Sequence, residues 1–486
     1  MEATQQKIAR NTLLLTGTEL LSRVMSVVLI IFVARRLGPV LMGIYAFGLT
    51  FVRLLEILVD FGLDRFIQRE IGRRPEQSGP LFSQVFSLKL AIYLIGAVAV
   101  FLLGNFLITE PLKRWVVWIL SLTIFFRSQA NSTNSFFRAR EKVKYESVVV
   151  VTQRLVYTSA GLAAILMGYG LLTLVSFELV AQMGACATGW WLFRRKIGNP
   201  FHAVHINHLK TLAYSAQNFL YIRLALTVFN SVDLLMLSFL SGDLATGWYA
   251  AAVRLYAAVD FVPDAFSGAF LTVLSRKVKE GWSAFVAVFQ YFFKYLFILG
   301  LGFAAILGGL APQCLVALFG TSFQPAIPTL MLLAPGLVLN FINLTLSNAI
   351  IALDEEKKIL ANFSAAAGLN IAMNLWFIPL WQQNGAAVAT LLSEAAVLVL
   401  QLRALGWDRV KDMGLLDLAR RPLLAGLFTF SLAYFLVIRN VPFAINLVLS
   451  GLGFGVLLLI TGALSWRELV AVKDIFLRPK RALHTA

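Results

Sequence analysis

Runs of about twenty apolar residues recur along this chain from Asn11–Ala34 near one end to 442–464 near the other. A hydrocarbon layer about 30 Å thick asks this length of a helix. In lipid each backbone N–H and C=O must find its partner within the protein, which selects helices for such runs. The spans read as 12–34, 40–62, 82–107, 114–135, 147–168, 171–193, 212–239, 246–273, 285–309, 326–352, 358–380, 384–404, 421–439 and 442–464. With 59% hydrophobic and only 14% charged residues among 486, no sizeable soluble domain is expected. The expected fold class is an all-α integral membrane protein with about fourteen transmembrane helices. The first run shows no short core with a small-residue cleavage site and reads as a retained span rather than a secretory signal.

A net charge of +17 invites a nucleic-acid reading. The placement of the charge excludes it, because basic residues gather in alternate loops: Arg69, Arg73 and Arg74; Arg138, Arg140, Lys142 and Lys144; Arg194, Arg195, Lys196 and Lys210; Arg276, Lys277 and Lys279; Lys357 and Lys358; Arg409, Lys411, Arg420 and Arg421. The tails, with Lys7 and Arg10 at one end and Arg478, Lys480 and Arg481 at the other, belong to this set. The intervening loops carry little beyond Arg35, Arg36, Lys113, Arg114 and Arg439. Cationic loops stay in the cytoplasm, so both termini are expected there. Cys186 and Cys314 lie in apolar runs without metal-ligand spacing, so neither a disulfide nor a metal is expected. His202, His205 and His208 are irregularly spaced and lack a cysteine or carboxylate companion, which reads as a linker rather than a zinc site. No glycine-rich loop followed by Lys-Ser or Lys-Thr occurs, so ATP hydrolysis is not indicated and no cofactor is expected.

The chain repeats itself. Gly38, Gly43, Tyr45 and Ala46 match Gly242, Gly247, Tyr249 and Ala250 in spacing, Glu56 and Asp60 match Asp260 and Asp264, and Ala139, Glu141 and Lys144 match Ala352, Asp354 and Lys357. Six spans per repeat is an even number, so both copies enter the bilayer from one side and are related by a parallel pseudo-two-fold along the membrane normal. The organisation expected is a six-helix lobe at 1–200, a second at 201–408, and at 409–486 two further helices with a basic tail. Two such lobes would enclose a central cavity.

Ionisable residues within spans are costly against lipid and mark wet paths or partners. Arg23, Arg53, Arg223, Arg254 and Lys294 are the candidate cationic lining. An arginine fork binds phosphate or carboxylate oxygens in pairs and stays protonated, so this lining suits an anionic cargo. Glu19 lies four residues before Arg23 and Glu56 three after Arg53, spacings that allow pairing on one helix face. Glu19, Glu56 and Asp233 are also candidates for ion coupling, since burial raises a carboxyl pKa. Arg127, Arg154 and Glu178 lie in other spans, and Asp60, Asp64, Asp260 and Asp264 read as bridges to loop arginines. Asn340, Asn343, Asn370 and Asn374 suit interhelical hydrogen bonds better than sugar binding, and Pro263 and Pro335 suit bends.

The segments ARRLGPVLMGIYAF, DFGLDRFIQREI, SVDLLMLSFLSGDLATGWYAAAVRLY and NGAAVATLLSE, in this order, resemble the Wzx-type lipid-linked oligosaccharide flippases, the polysaccharide transporter branch of the multidrug, oligosaccharidyl-lipid and polysaccharide exporter superfamily. The resemblance covers roughly residues 8–405. It implies two six-helix lobes with two trailing helices and alternating access in the bacterial inner membrane. The implied cargo is a polyprenyl-pyrophosphate-linked oligosaccharide, carried to the periplasmic leaflet for O-antigen, capsule or exopolysaccharide. Implied partners are membrane lipids and the polysaccharide polymerase and chain-length machinery. It places the cavity cations at Arg23, Arg53, Arg223 and Arg254. A lipid II flippase shares this architecture. A cation-coupled drug antiporter normally has twelve spans and an acidic cavity, and an integral-membrane polymerase needs a substantial outward loop that this chain lacks.

Overall fold

The computed structural model describes residues 2–204, 206–259, 261–466 and 468, without the side chains of 2–13, 206–208, 218, 219, 222, 261, 264, 265, 268 and 269. The described residues form sixteen α-helices in chain order: α1 (Glu2–Asp60), α2 (Leu63–Arg73), α3 (Ser78–Leu107), α4 (Pro111–Ala139), α5 (Val143–Leu166), α6 (Leu171–Lys196), α7 (Ile206–Leu240), α8 (Gly242–Val259), α9 (Phe261–Val278), α10 (Trp282–Gly309), α11 (Ala311–Phe319), α12 (Ile327–Ala352), α13 (Glu356–Leu405), α14 (Trp407–Asp412), α15 (Leu415–Ile438) and α16 (Phe443–Ile460). Ten helical segments are long and apolar enough to cross a bilayer. Two of these are double spans, α1 bent at Gly38 and α13 bent at Gln382. The more polar α4 and the α8–α9 pair bring the number of spans to fourteen, as expected from the apolar runs.

Two compact units, Met1–Ala250 and Ala251–Ala486, are built around separate cores. In the first, Phe82, Phe136 and Phe193 pack within ring-centroid distances of 4.3–5.6 Å, joined by Leu63, Ile67 and Val85. In the second, Phe285, Phe289, Phe293 and Phe297 form a stacked row at i, i+4 spacing along α10. Elsewhere the apolar surface faces outward. Ile95, Val98, Phe101 and Phe106 of α3 and Leu452, Val456 and Ile460 of α16 are exposed, which suits surfaces solvated by lipid tails.

The internal repeat reappears as repeated turns. Gly38 (φ 78°) breaks α1 and Gly242 (φ 82°) opens α8, both in the left-handed region that glycine enters without Cβ strain. At the later pair, α4 and α12 end at Ala139 and Ala352, and two residues on Glu141 (φ 54°) and Asp354 (φ 60°) take the same left-handed turn. Backbone hydrogen bonds close both turns alike, Lys142 N to Phe137 O at 2.7 Å and Glu355 N to Ile350 O at 3.1 Å. Pro335 lies inside α12 without ending it.

Gln382 carries the bend of α13 at φ 50°, ψ −127°, a conformation that suits glycine. Gln382→Gly is expected to raise stability by about 1 kcal/mol, read as a higher melting temperature of the detergent-purified protein.

Candidate functional site

Among the described residues of the first unit, three of the ionic groups lie within or between the spans. In the first, Lys89, three turns into the apolar helix α3, is fully buried. Its ammonium donates to Asp60 Oδ1 and Asp64 Oδ1, each at 2.8 Å, and to the Ser128 carbonyl at 3.3 Å. The break at Phe61–Gly62 places the two aspartates on either side of a tight turn between α1 and α2. Ser132 of α4 donates to Asp64 at 3.2 Å. Arg223 of α7 reaches the other oxygen of Asp60 at 2.5 Å, with its own side chain 43% exposed against 3% for Asp60. Two carboxylates thus meet two cations, and the charge balances within a buried cluster.

The second group centres on Arg127 of α4. Its guanidinium meets Glu178 at 2.7 Å and Glu56 at 3.5 Å. Gln182 donates to Glu178 at 2.8 Å and Asn131 to Glu56 at 3.0 Å. The Tyr45 and Tyr157 hydroxyls, from α1 and α5, share a hydrogen bond of 2.5 Å.

The third lies where the two copies of the glycine motif meet. A Cβ on Gly43 would strike the Asp243 carbonyl, and a Cβ on Gly247 would strike the Pro39 carbonyl, so each copy rests its glycine on the backbone one residue past the turn of the other. Lys113 of α4 is 2.6 Å from Asp243 Oδ1 and 2.5 Å from Ser238 Oγ. Its ammonium also lies 4.2 Å from the Phe47 ring centroid, a cation–π contact in a desolvated place. Glu110, outside the spans, has its carboxyl pKa raised, first by burial and then by the neighbouring Asp243.

The residues singled out in the sequence fall as follows. Arg23 donates to Glu19 at 3.0 Å, and both are well exposed. Arg53 is exposed, while Glu56, three residues on, is buried and engaged by Arg127 and Asn131 of α4. Asp233 is buried and accepts a hydrogen bond from the Tyr249 hydroxyl. In the second unit Arg254 is exposed, and Lys294 is 2.7 Å from Glu468. Burial acts to raise the Glu468 carboxyl, but hydrogen bonds from Lys294 and Ser465 outweigh it and hold the pKa at about 2. Asn343 donates to Glu394 of α13 at 2.7 Å and Asn370 to Ser393, across the bend of α13, at 3.2 Å, so these two amides tie helical segments together; Asn374 donates to Asn370, one turn back on its own segment, at 2.8 Å. Both cysteines are free and buried, and no group of three metal-ligating side chains occurs among the described residues. Asp260, the side chains of Asp264 and His208, His205, the side chains of Lys7 and Arg10, and Arg478, Lys480 and Arg481 lie outside the described residues.

Sequence reasoning missed Lys89 as a site residue and read Asp60 and Asp64 as bridges to loop arginines. They instead hold a lysine inside a span and Arg223 of another. A lone lysine within an apolar run, with two aspartates at the end of an earlier span, was the available signal.

Fourteen spans with ionic groups housed inside them define a multi-pass membrane protein. Residues 8–269 match the family described as polysaccharide biosynthesis protein, and the chain belongs to that family. Among solved structures, the lipid II flippase MurJ in an inward closed conformation is similar, at 14% identity and a TM-score of 0.76, over 94% of this chain and 99% of that one. An inward-facing multidrug resistance MATE family transporter of the MOP superfamily is 16% identical, at a TM-score of 0.65, over 82% of this chain and 96% of that one. A MOP superfamily transporter from Pyrococcus furiosus is 16% identical, at a TM-score of 0.52, over 84% and 95%. No curated protein sequence matches the chain.

Proposed function

We propose that this protein is a flippase for polyprenyl-pyrophosphate-linked oligosaccharide repeat units, carrying them from the cytoplasmic to the periplasmic leaflet by alternating access during assembly of a surface polysaccharide. The observation that carries this reading is Arg223. It is a permanently charged fork on an apolar helix, buried on the side of Asp60 yet 43% exposed. Such a group can take the paired oxygens of a diphosphate while the polyprenyl tail stays in lipid. Arg23 and Arg53 are proposed for the same task in the first unit, and Arg254 in the second, where it too is exposed on an apolar helix. The exposed lipid-facing helices and the family support a cargo that keeps one end in the bilayer.

The reading is tested by deleting the gene in its host and restoring wild type, Arg53→Ala, Arg223→Ala or Arg254→Ala. Loss of surface polymer with accumulation of unflipped lipid-linked intermediate is expected on deletion. With Arg223→Ala the rate should fall by about tenfold or more at normal membrane levels. Unchanged polymer on deletion would refute this cargo. Lipid II transport is the second reading, favoured by the fold similarity over 94% of the chain; it predicts instead that deletion blocks peptidoglycan synthesis.

A further inference from the structure

We infer that Asp60 is an internal competitor for the cargo's diphosphate. In the empty protein it occupies the guanidinium of Arg223, and anionic cargo must displace it. This inference rests on the flippase reading and goes beyond it, to a residue that sets how tightly the site holds its anion.

The geometry is asymmetric. Arg223 meets Asp60 through one nitrogen, Nη1, at 2.5 Å. Its side chain is 43% exposed, while that of Asp60 is 3% exposed. Asp60 is fixed from behind: its other oxygen is 2.8 Å from Lys89 Nζ, and Lys89 is held in turn by Asp64 and the Ser128 carbonyl. Asp60 therefore cannot follow Arg223 outward, whereas the long arginine side chain can turn away. The two aspartates and two cations sum to zero. When Arg223 leaves, Asp60 and Asp64 remain with Lys89 alone, and a net negative charge is left in a buried place. Departure is thus penalised, and an incoming diphosphate has to exceed the attraction of a carboxylate already in position. Two negative oxygens presented to the planar fork can do so where a single carboxylate oxygen cannot. The result is a site that ignores weak monoanions and yields to a diphosphate.

Asp60→Asn isolates the effect. Lys89 and Asp64 remain as a neutral pair, the asparagine carbonyl still accepts from Lys89, and its amide can donate to Asp64, so the buried part of the cluster stays neutral and hydrogen-bonded while the Arg223 charge is left uncompensated. Arg223 loses its carboxylate and becomes available. Inorganic pyrophosphate is the probe, titrated calorimetrically into the detergent-purified full chain without divalent cations. Asp60→Asn is expected to bind pyrophosphate about tenfold more tightly than wild type, and Asp60→Asn/Arg223→Ala to lose the gain entirely. Asp64→Asn gives an independent arm that keeps Asp60 in place. It leaves Lys89 wholly to Asp60, weakens that carboxylate's hold on Arg223, and should tighten binding by a smaller factor. If Arg223→Ala lowers binding while Asp60→Asn and Asp64→Asn bind no more tightly than wild type, the competitor is refuted and the cationic reading of Arg223 stands. If Arg223→Ala binds as wild type does, Arg223 is not a cargo ligand, and the inference falls with that part of the proposed function.

Discussion

Lys89→Ala is expected to destabilise the protein by about 3–5 kcal/mol, the cost of removing one partner from a buried ion pair. The substitution strips the ammonium from two carboxylates that are 3% and 13% exposed and leaves Arg223, itself tied to only one of them, as their sole remaining cation in the group. It also opens a cavity in α3 between α1, α2 and α4. Melting of the detergent-purified protein, followed by tryptophan fluorescence, reads the loss. Lys89→Met/Asp60→Asn/Asp64→Asn should recover most of it, because the three buried positions then hold no stranded ion and the remaining cation, Arg223, is 43% exposed. A Lys89→Ala protein that melts with wild type would show that the aspartates are solvated.

Gly247→Val is the second large effect. The added carbons would overlap the Pro39 carbonyl, a backbone group that cannot rotate aside, so the chain segments must separate. Overpacking of this kind costs about 1–3 kcal/mol or more, and parting the segments would also pull Asp243 from Lys113. Gly96→Ala is the control: nothing lies within 4 Å of a Cβ there, and a mid-helix glycine replaced by alanine gains up to about 1 kcal/mol. Equal melting shifts for the two substitutions would argue against the backbone contact.

What was legible in the sequence and what was not divide along a physical line. The spans were legible because lipid imposes a length on each one, and each apolar run carries that length by itself. The turns at Gly38, Gly242, Glu141 and Asp354 were legible as a repeat because a left-handed residue and the helix ends around it are local features. Pairing across helices was another matter. Glu56 lies against Arg127, 71 positions away, by virtue of how α1 and α4 pack, a contact that no spacing along α1 announces. The same holds for Lys89, whose partners come from the end of α1, the start of α2 and the middle of α4. No periodicity along one helix reports which neighbour will face it. Where both partners sat on one helix, as with Glu19 and Arg23, spacing sufficed.

The reciprocal seating of Gly43 on Asp243 and Gly247 on Pro39 has a genetic consequence. Both seats belong to the same pair of backbone segments, so a side chain at either one forces apart what the other needs. The harm of a second substitution is then largely spent by the first, and Gly43→Ala/Gly247→Ala should be little worse than the poorer single variant, a strong positive epistasis. Two sites that fail together in this way act as one target for mutation. With the two motifs face to face, neither glycine can take a side chain without disturbing the seat of the other.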